Sequence, residues 1–238
     1  MNRYIAILIA ALTSAEMQAF QLAPRLVVNI TIDQLRSDYI EAFSPLFSQD
    51  GFRKLMQEGK VYETASYPFK SVTEPSAIAT IATGATPYYH GIVSPQWLDR
   101  NTLRQIYCVD DNRYGASPAN LKTSTVSDEM KISSAGSSIV YSIAEDKSSA
   151  ILSAGHAADN AIWFDGTRRK WQTSPYYGAS PKWLNTGIFS HDISNDDIAT
   201  KAGEIVSKTS MGTDNITDML SITLSATSSD NAVGNWQN

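Results

Sequence analysis

Residues 25–32 read Arg-Leu-Val-Val-Asn-Ile-Thr-Ile, a nearly unbroken β-branched run that stops at Asp33. A continuous β-branched run of this kind reads as a strand covered on both faces. That demand constrains the fold strongly, because only a sheet layered on both sides covers such a strand. Asp218–Ser225 (DMLSITLS) has the same character, and Ser138–Ile143 (SIVYSI), Ala150–Ser153 and Val61–Tyr67 read as further strands. Ile162–Phe164 and Lys170–Gln172, separated by Asp165-Gly166-Thr167, form a predicted hairpin. Helical segments alternate with these strands: QLRSDYIEAF after Asp33, Phe52–Glu58 stopping at Gly59, Ser76–Ala82, TSTVSDEMKIS and Asp196–Ser207. Thr73 or Ser71 is placed to cap the helix that leads to Gly84. The alternation predicts an α/β fold, a mostly parallel central sheet with helices on both faces. Asp33, at the C-terminal end of a buried strand, stands where open α/β sheets bind ligands.

The 238 residues are enough for one sizeable α/β domain or for most of a larger one. Hydrophobic residues make up 42% and charged residues 18%, which supports a packed core rather than disorder. The net charge of −5, with no basic stripe, excludes nucleic acid as the expected partner. The single cysteine, Cys108, makes no intrachain disulfide and no thiolate metal cluster, and with no basic partner nearby in sequence it reads as a small buried hydrophobe. Met-Asn-Arg, the apolar run Tyr4–Leu12 and the small residues Thr13–Ala19 have the form of a secretory signal peptide, with a buried N-terminal helix as the alternative. The run is too short to span a bilayer as a helix. The expected organisation is a signal peptide over residues 1–19 and a partial α/β domain over residues 20–238, secreted or periplasmic, with no membrane span once the signal is removed.

Several stretches carry a family likeness: VVNITIDQLRSDY, VTEPSAIATIATGATPYYHGI, QWLDR, SAGHAADNAIWFDG and TDMLSITLSATSSDNAVGN. In this order they resemble the alkaline phosphatase superfamily, in the branch of type I phosphodiesterases, nucleotide pyrophosphatases and secreted bacterial alkaline phosphatases. The likeness runs from Arg25 to Asn235, and its most specific parts are Thr-Gly-x-x-Pro-x-x-His-Gly at Thr83–Gly91 and Ala-Gly-His-x-Ala-Asp at Ala154–Asp159. The resemblance implies an alkaline-phosphatase-like fold and hydrolysis of phosphomonoesters or phosphodiesters at a two-zinc site. An alcohol attacks phosphorus poorly near neutral pH until a metal or base lowers its pKa. Two metals would clamp the attacking and leaving oxygens, and zinc would need dense Asp and His ligation.

Carried over residue by residue, the resemblance makes Asp33 a metal ligand; helix capping is the plainer role for the same residue. Read from Pro75, Thr73 matches the family's Thr-x-Pro nucleophile. Counted back from Thr83-Gly84 there is one residue too many, and Glu74 takes the nucleophile's place. Either way a carboxylate enters the phosphate pocket and repels a dianion. Ser76-Ala77-Ile78 stands where many relatives carry His, and Ser94-Pro95-Gln96 where phosphatases carry Asn. Asp146 and Ser148 hold the places of a substrate-binding Lys-x-Arg pair. The family's Asp-x-x-x-His metal pair falls on Asn231 and Asn235; with a gap, Asp230 is a weak substitute for the Asp, and no His follows. The three histidines, His90, His156 and His191, match no metal-ligand position. The chain stops before the family's Asp-His-Gly motif, which reads as truncation.

Three readings follow. One is a secreted phosphoester hydrolase using zinc, Thr73 and Asp33 on a small phosphoester. The second is a scaffold with impaired or lost catalysis, a pseudoenzyme that binds a protein or glycan in the envelope. The third is a fragment that leaves a sheet edge unpaired.

Overall fold

The structure, a computed structural model, describes residues 23–184 and 188–226. The predicted signal peptide and Asp230 lie outside the described residues.

The chain enters through strand β1 (Leu26–Asp33) and turns into helix α1 (Ser37–Phe43), the short 3-10 turn Ser44–Leu46 and helix α2 (Phe52–Glu58). Val61–Tyr67, expected as a strand, forms no regular element. Its polar Glu63, Thr64 and Ser66 interrupt the apolar pattern, and among the described residues it joins none of the sheets. Helix α3 (Glu74–Thr83) and the single turn α4 (Pro87–His90) follow. The small antiparallel pairs β2 (Gln96–Leu98) with β3 (Gln105–Tyr107), and β4 (Asp110–Asp111) with β5 (Gly115–Ala116), come next. Then come helix α5 (Val126–Ser133), strand β6 (Val140–Ala144), helix α6 (Lys147–Ala154), strands β7 (Asn160–Asp165) and β8 (Lys170–Thr173), helix α7 (Asn195–Thr209) and strand β9 (Asp218–Ser225).

Five strands form the main sheet in the order β1-β9-β6-β7-β8. The first four run parallel, and β8 returns antiparallel in the predicted hairpin. Alternate residues along each strand face opposite sides, so each strand feeds two cores. Val140 and Ala144 of β6 and Met219 of β9 face α3, α5 and α6, packing with Ile78, Ala79, Ile151 and Leu152. Ile143, Ile162 and Leu220 face the other way, onto Ile198, Ala202 and Ile205 of α7. Full burial of each such Ile or Leu contributes about 1.5–3 kcal/mol.

Helix α7 shows why the sequence folds this way locally. Ser194 caps it, accepting from the Asp197 N–H at 3.2 Å while the Asp197 carboxylate accepts from the Ser194 N–H at 2.9 Å. Its buried residues Ile198, Ala202 and Ile205 recur at helical spacing and form one stripe.

Two further expectations are corrected. Ala150–Ser153 is not a strand but the interior of α6. Asp146 caps this helix, accepting from the N–H groups of Ser148 at 2.7 Å and Ser149 at 3.2 Å, and residues 148–154 are all buried. A short apolar run cannot be told from a buried helix by periodicity. Likewise β1, expected to be covered on both faces, is an edge strand among the described residues, and none of its residues is fully buried by them.

Candidate active site

The C-terminal ends of the parallel strands β1, β9 and β6 open on one side of the sheet. Asp33 ends β1, and Glu145-Asp146 leaves β6. The N-terminus of α3 meets the N-terminus of α6 there: the Ser149 hydroxyl donates to Glu74 Oε1 at 2.5 Å. Burial pushes the Glu74 carboxyl above its ordinary range. The Ser149 hydrogen bond opposes this, while the charges of Asp146, Asp33 and Glu145 add to the upward push. Burial, and then Asp146, raises Glu145 as well. Four carboxylates therefore share this end of the sheet.

Thr73 caps α3, and its hydroxyl donates to Ser76 Oγ at 3.1 Å. Ser76 Oγ in turn accepts the Thr73 N–H and donates to the Thr73 carbonyl, each at 2.9 Å. The Thr73 hydroxyl is thus bound within its own helix start, and Glu74 is the side chain that reaches across to α6. Helix α3 is regular α throughout and closes with Gly84 in the left-handed region at φ 67°, where its N–H meets the Thr80 carbonyl at 2.8 Å.

Asp146 is committed to the start of α6, its carboxylate also accepting from the Ser148 hydroxyl. The Tyr107 hydroxyl of β3 lies at a long 3.4 Å from the same carboxylate. Lys147 lays its ammonium 4.9 Å from the centre of the Tyr107 ring. Burial pushes the Cys108 thiol up to about 12, so it is an unreactive thiol in the core. Sequence reasoning missed Ser149, Glu145 and Tyr107. They reach the site only through the β6–α6 turn and the β2–β3 hairpin, and no local motif marks them.

The histidines are occupied elsewhere. His90 is fully buried; its Nδ1 accepts from the Ile92 N–H at 3.1 Å, which leaves Nε2–H to donate to Thr80 Oγ1 at 3.1 Å. It ties α3 to α4, and burial lowers its pKa. His156 sits beside Gly155 in a clamp around Asp128. The Asp128 carboxylate accepts N–H bonds from Thr125 at 2.8 Å and from His156 and Ala157 at 2.7 Å each, and lies 3.0 Å from His156 Nδ1. His156 Nε2 lies 3.0 Å from the Leu121 carbonyl. Burial raises Asp128, but the bonds from His156, Thr125 and Ala157 outweigh it and hold the carboxyl below its ordinary range. The Asp128 hydrogen bond raises His156 against burial. His191 is exposed, with Nδ1 2.8 Å from the Asp192 carbonyl. Among the described residues, no three or more His, Cys, Asp or Glu side chains converge to hold a metal.

The family model described as type I phosphodiesterase / nucleotide pyrophosphatase matches residues 27–229. The chain belongs to that family. Alkaline phosphatase PhoV of Synechococcus elongatus is 33% identical over 173 residues, which cover 68% of this chain and 32% of that protein. Alkaline phosphatase PafA of Elizabethkingia meningoseptica is 31% identical over 174 residues, again 68% of this chain and 32% of its own length. A crystal structure of wild-type PafA superposes with a TM-score of 0.78 at 23% identity, covering 84% of this chain and 52% of that one. The likeness shows an alkaline-phosphatase-like fold. The chain spans about a third of the length of these curated relatives.

No helix of the described residues is long and apolar enough to cross a membrane.

Proposed function

We propose that this chain is an exported phosphoester-hydrolase scaffold whose catalysis is impaired or lost, and which acts as a non-catalytic binding protein in the cell envelope. The observation that carries the reading is the placement of Glu74. Its carboxyl stands at the head of α3 with Asp33, Glu145 and Asp146 as its charged neighbours. A phosphate dianion there would meet like charge where a hydrolase needs cations. Because α3 is regular, no bulge absorbs an extra residue, which favours the register that puts Glu74 in the nucleophile's place.

Zinc, which the resemblance implies, does not fit the described donors. Asp33 is present, but His90 and His156 bracket the scaffold and His191 is at the surface. Export by a signal peptide over residues 1–19, and a partial family domain over residues 20–238, complete the proposal. The second reading, an active small-phosphoester hydrolase, rests on Thr73 and Asp33 being retained. The deciding experiment measures zinc content of the purified mature chain, with turnover of para-nitrophenyl phosphate and bis-para-nitrophenyl phosphate on the same sample. A folded, metal-free chain without turnover is expected. About two zinc ions per chain, with turnover lost in Thr73→Ala, would sink the proposal and establish the hydrolase.

A further inference from the structure

His156, between α6 and β7, has its ring held between two groups that can only accept hydrogen bonds. Nδ1 lies 3.0 Å from the Asp128 carboxylate of α5, and Nε2 lies 3.0 Å from the Leu121 carbonyl. Asp128 also accepts N–H bonds from Thr125, His156 and Ala157, which keep it ionised. A neutral imidazole carries one N–H and one lone pair, whereas the imidazolium donates from both nitrogens. The arrangement therefore selects the charged ring. If the ring loses a proton, the N–H that stays is the one facing the carboxylate, because a bond to a charged acceptor is the stronger. The Nε2 lone pair then faces the Leu121 carbonyl oxygen at 3.0 Å, acceptor against acceptor, and the two must part.

Leu121 belongs to the segment between β5 and α5, which braces the arm built from β2 to β5. The Ser117 N–H donates to the Val109 carbonyl at 3.0 Å, and the Asn120 amide donates to the Cys108 carbonyl at 3.2 Å. Cys108 adjoins Tyr107, whose hydroxyl faces Asp146 at the candidate site. Other ionisable groups surround the ring without competing for it. Tyr176 and Tyr177 donate their hydroxyls to the carbonyls of His156 at 3.1 Å and Gly155 at 2.9 Å. Burial raises both phenols, so they stay neutral where a histidine titrates. Tyr114 meets Tyr176 edge-on with ring centres 5.4 Å apart, and the charge of Asp111 acts on the same phenol. Lys131 of α5 is paired with Asp159 at 2.7 Å, and the Lys122 stem runs past Gly91. Asp128 is the charge that meets the ring itself.

We propose that His156 is a pH-operated latch: protonated, it pins the Leu121 segment and through it the arm that carries Tyr107; deprotonated, it lets that segment open. The latch is closed at acid pH and released as pH rises, because the closed fold holds the ring in its charged form. The inference stands on the residues around His156 and does not depend on whether the site is catalytic.

The test is hydrogen exchange of the Ser117, Leu121 and Lys122 amides, which donate to the carbonyls of Val109, Pro118 and His90. It is followed from about pH 5 to about pH 9 and corrected for intrinsic rates, with the charge of the His156 ring read from its nitrogen NMR shifts on the same sample. Protection should fall by about tenfold or more as the ring loses its proton, the effect of one lost bond from a charged donor, while the amides of β9 do not follow. His156→Gln keeps a donor towards Leu121 and should stay protected with no pH step. His156→Asn keeps only the donor towards Asp128 and should be open throughout. Circular dichroism verifies the fold of each variant, and the wild-type profile decides the case if a variant does not fold. A ring already neutral at about pH 5, or protection that ignores its titration or falls only in parallel with β9, would overturn the proposal. A pH step that persists in His156→Gln, or a folded His156→Asn as protected as the wild type in acid, would overturn it equally.

Discussion

Replacing Glu74 by Gln removes one charge and keeps the shape, and its consequences follow from the site's electrostatics. Glu74 is partly buried among the charges of Asp146, Asp33 and Glu145, held by one hydrogen bond from Ser149. A phosphate dianion roughly 5 Å from a carboxylate is repelled by about 2 kcal/mol even at water-like screening. Removing that repulsion should raise affinity for inorganic phosphate roughly 15- to 30-fold. Titration calorimetry of both proteins with phosphate at pH 8 reads this directly. The same substitution acts on stability. A carboxyl whose folded pKa is raised stabilises the fold below its unfolded value, and that contribution is lost as pH rises through the folded value. The ionised Glu74 thus costs stability at neutral pH. Glu74→Gln should stabilise by of the order of 1 kcal/mol there, a figure discounted because the group is half exposed. The gain should fade as pH drops into the carboxylate range. Unchanged phosphate affinity, or a pH-independent stability difference, would refute the placement of Glu74 at the anion's position.

The Asp128 clamp yields three further expectations. Asp128→Ala strands the N–H groups of Thr125, His156 and Ala157 and should cost about 3–5 kcal/mol in urea denaturation. Gly155→Ala should cost more than about 1 kcal/mol in thermal melts: φ is +77°, and a Cβ there would lie 2.7 and 2.8 Å from the Asp128 carboxylate oxygens. The clamp also sets a pH window. Asp128, held below its ordinary range, stabilises above about pH 4 and loses this as pH falls through its lowered value. His156, raised, stabilises below about pH 6.5 and loses this as pH rises through its raised value. Melting temperature should therefore be highest between about pH 4 and 6.5, and Asp128→Ala should flatten the profile.

Local patterns in the sequence determined most elements. Phe52–Glu58 stops at Gly59, and Asp218–Ser225 is a strand over its whole predicted length, because glycine and β-branched runs act through their own backbones. Family motifs placed Asp33, Thr73 and Asp146 at one end of the sheet. Tertiary structure alone decided the rest. Whether Ala150–Ser153 was strand or helix depended on Asp146 capping it and on α3 packing against it, neither of which has a local period. That Thr73 turns inward to Ser76 while Glu74 reaches Ser149 depends on two helix starts 75 residues apart in sequence. That β1 stands at the edge of the sheet of described residues was equally invisible, because a strand's composition records the cover it needs and not which strands stand beside it.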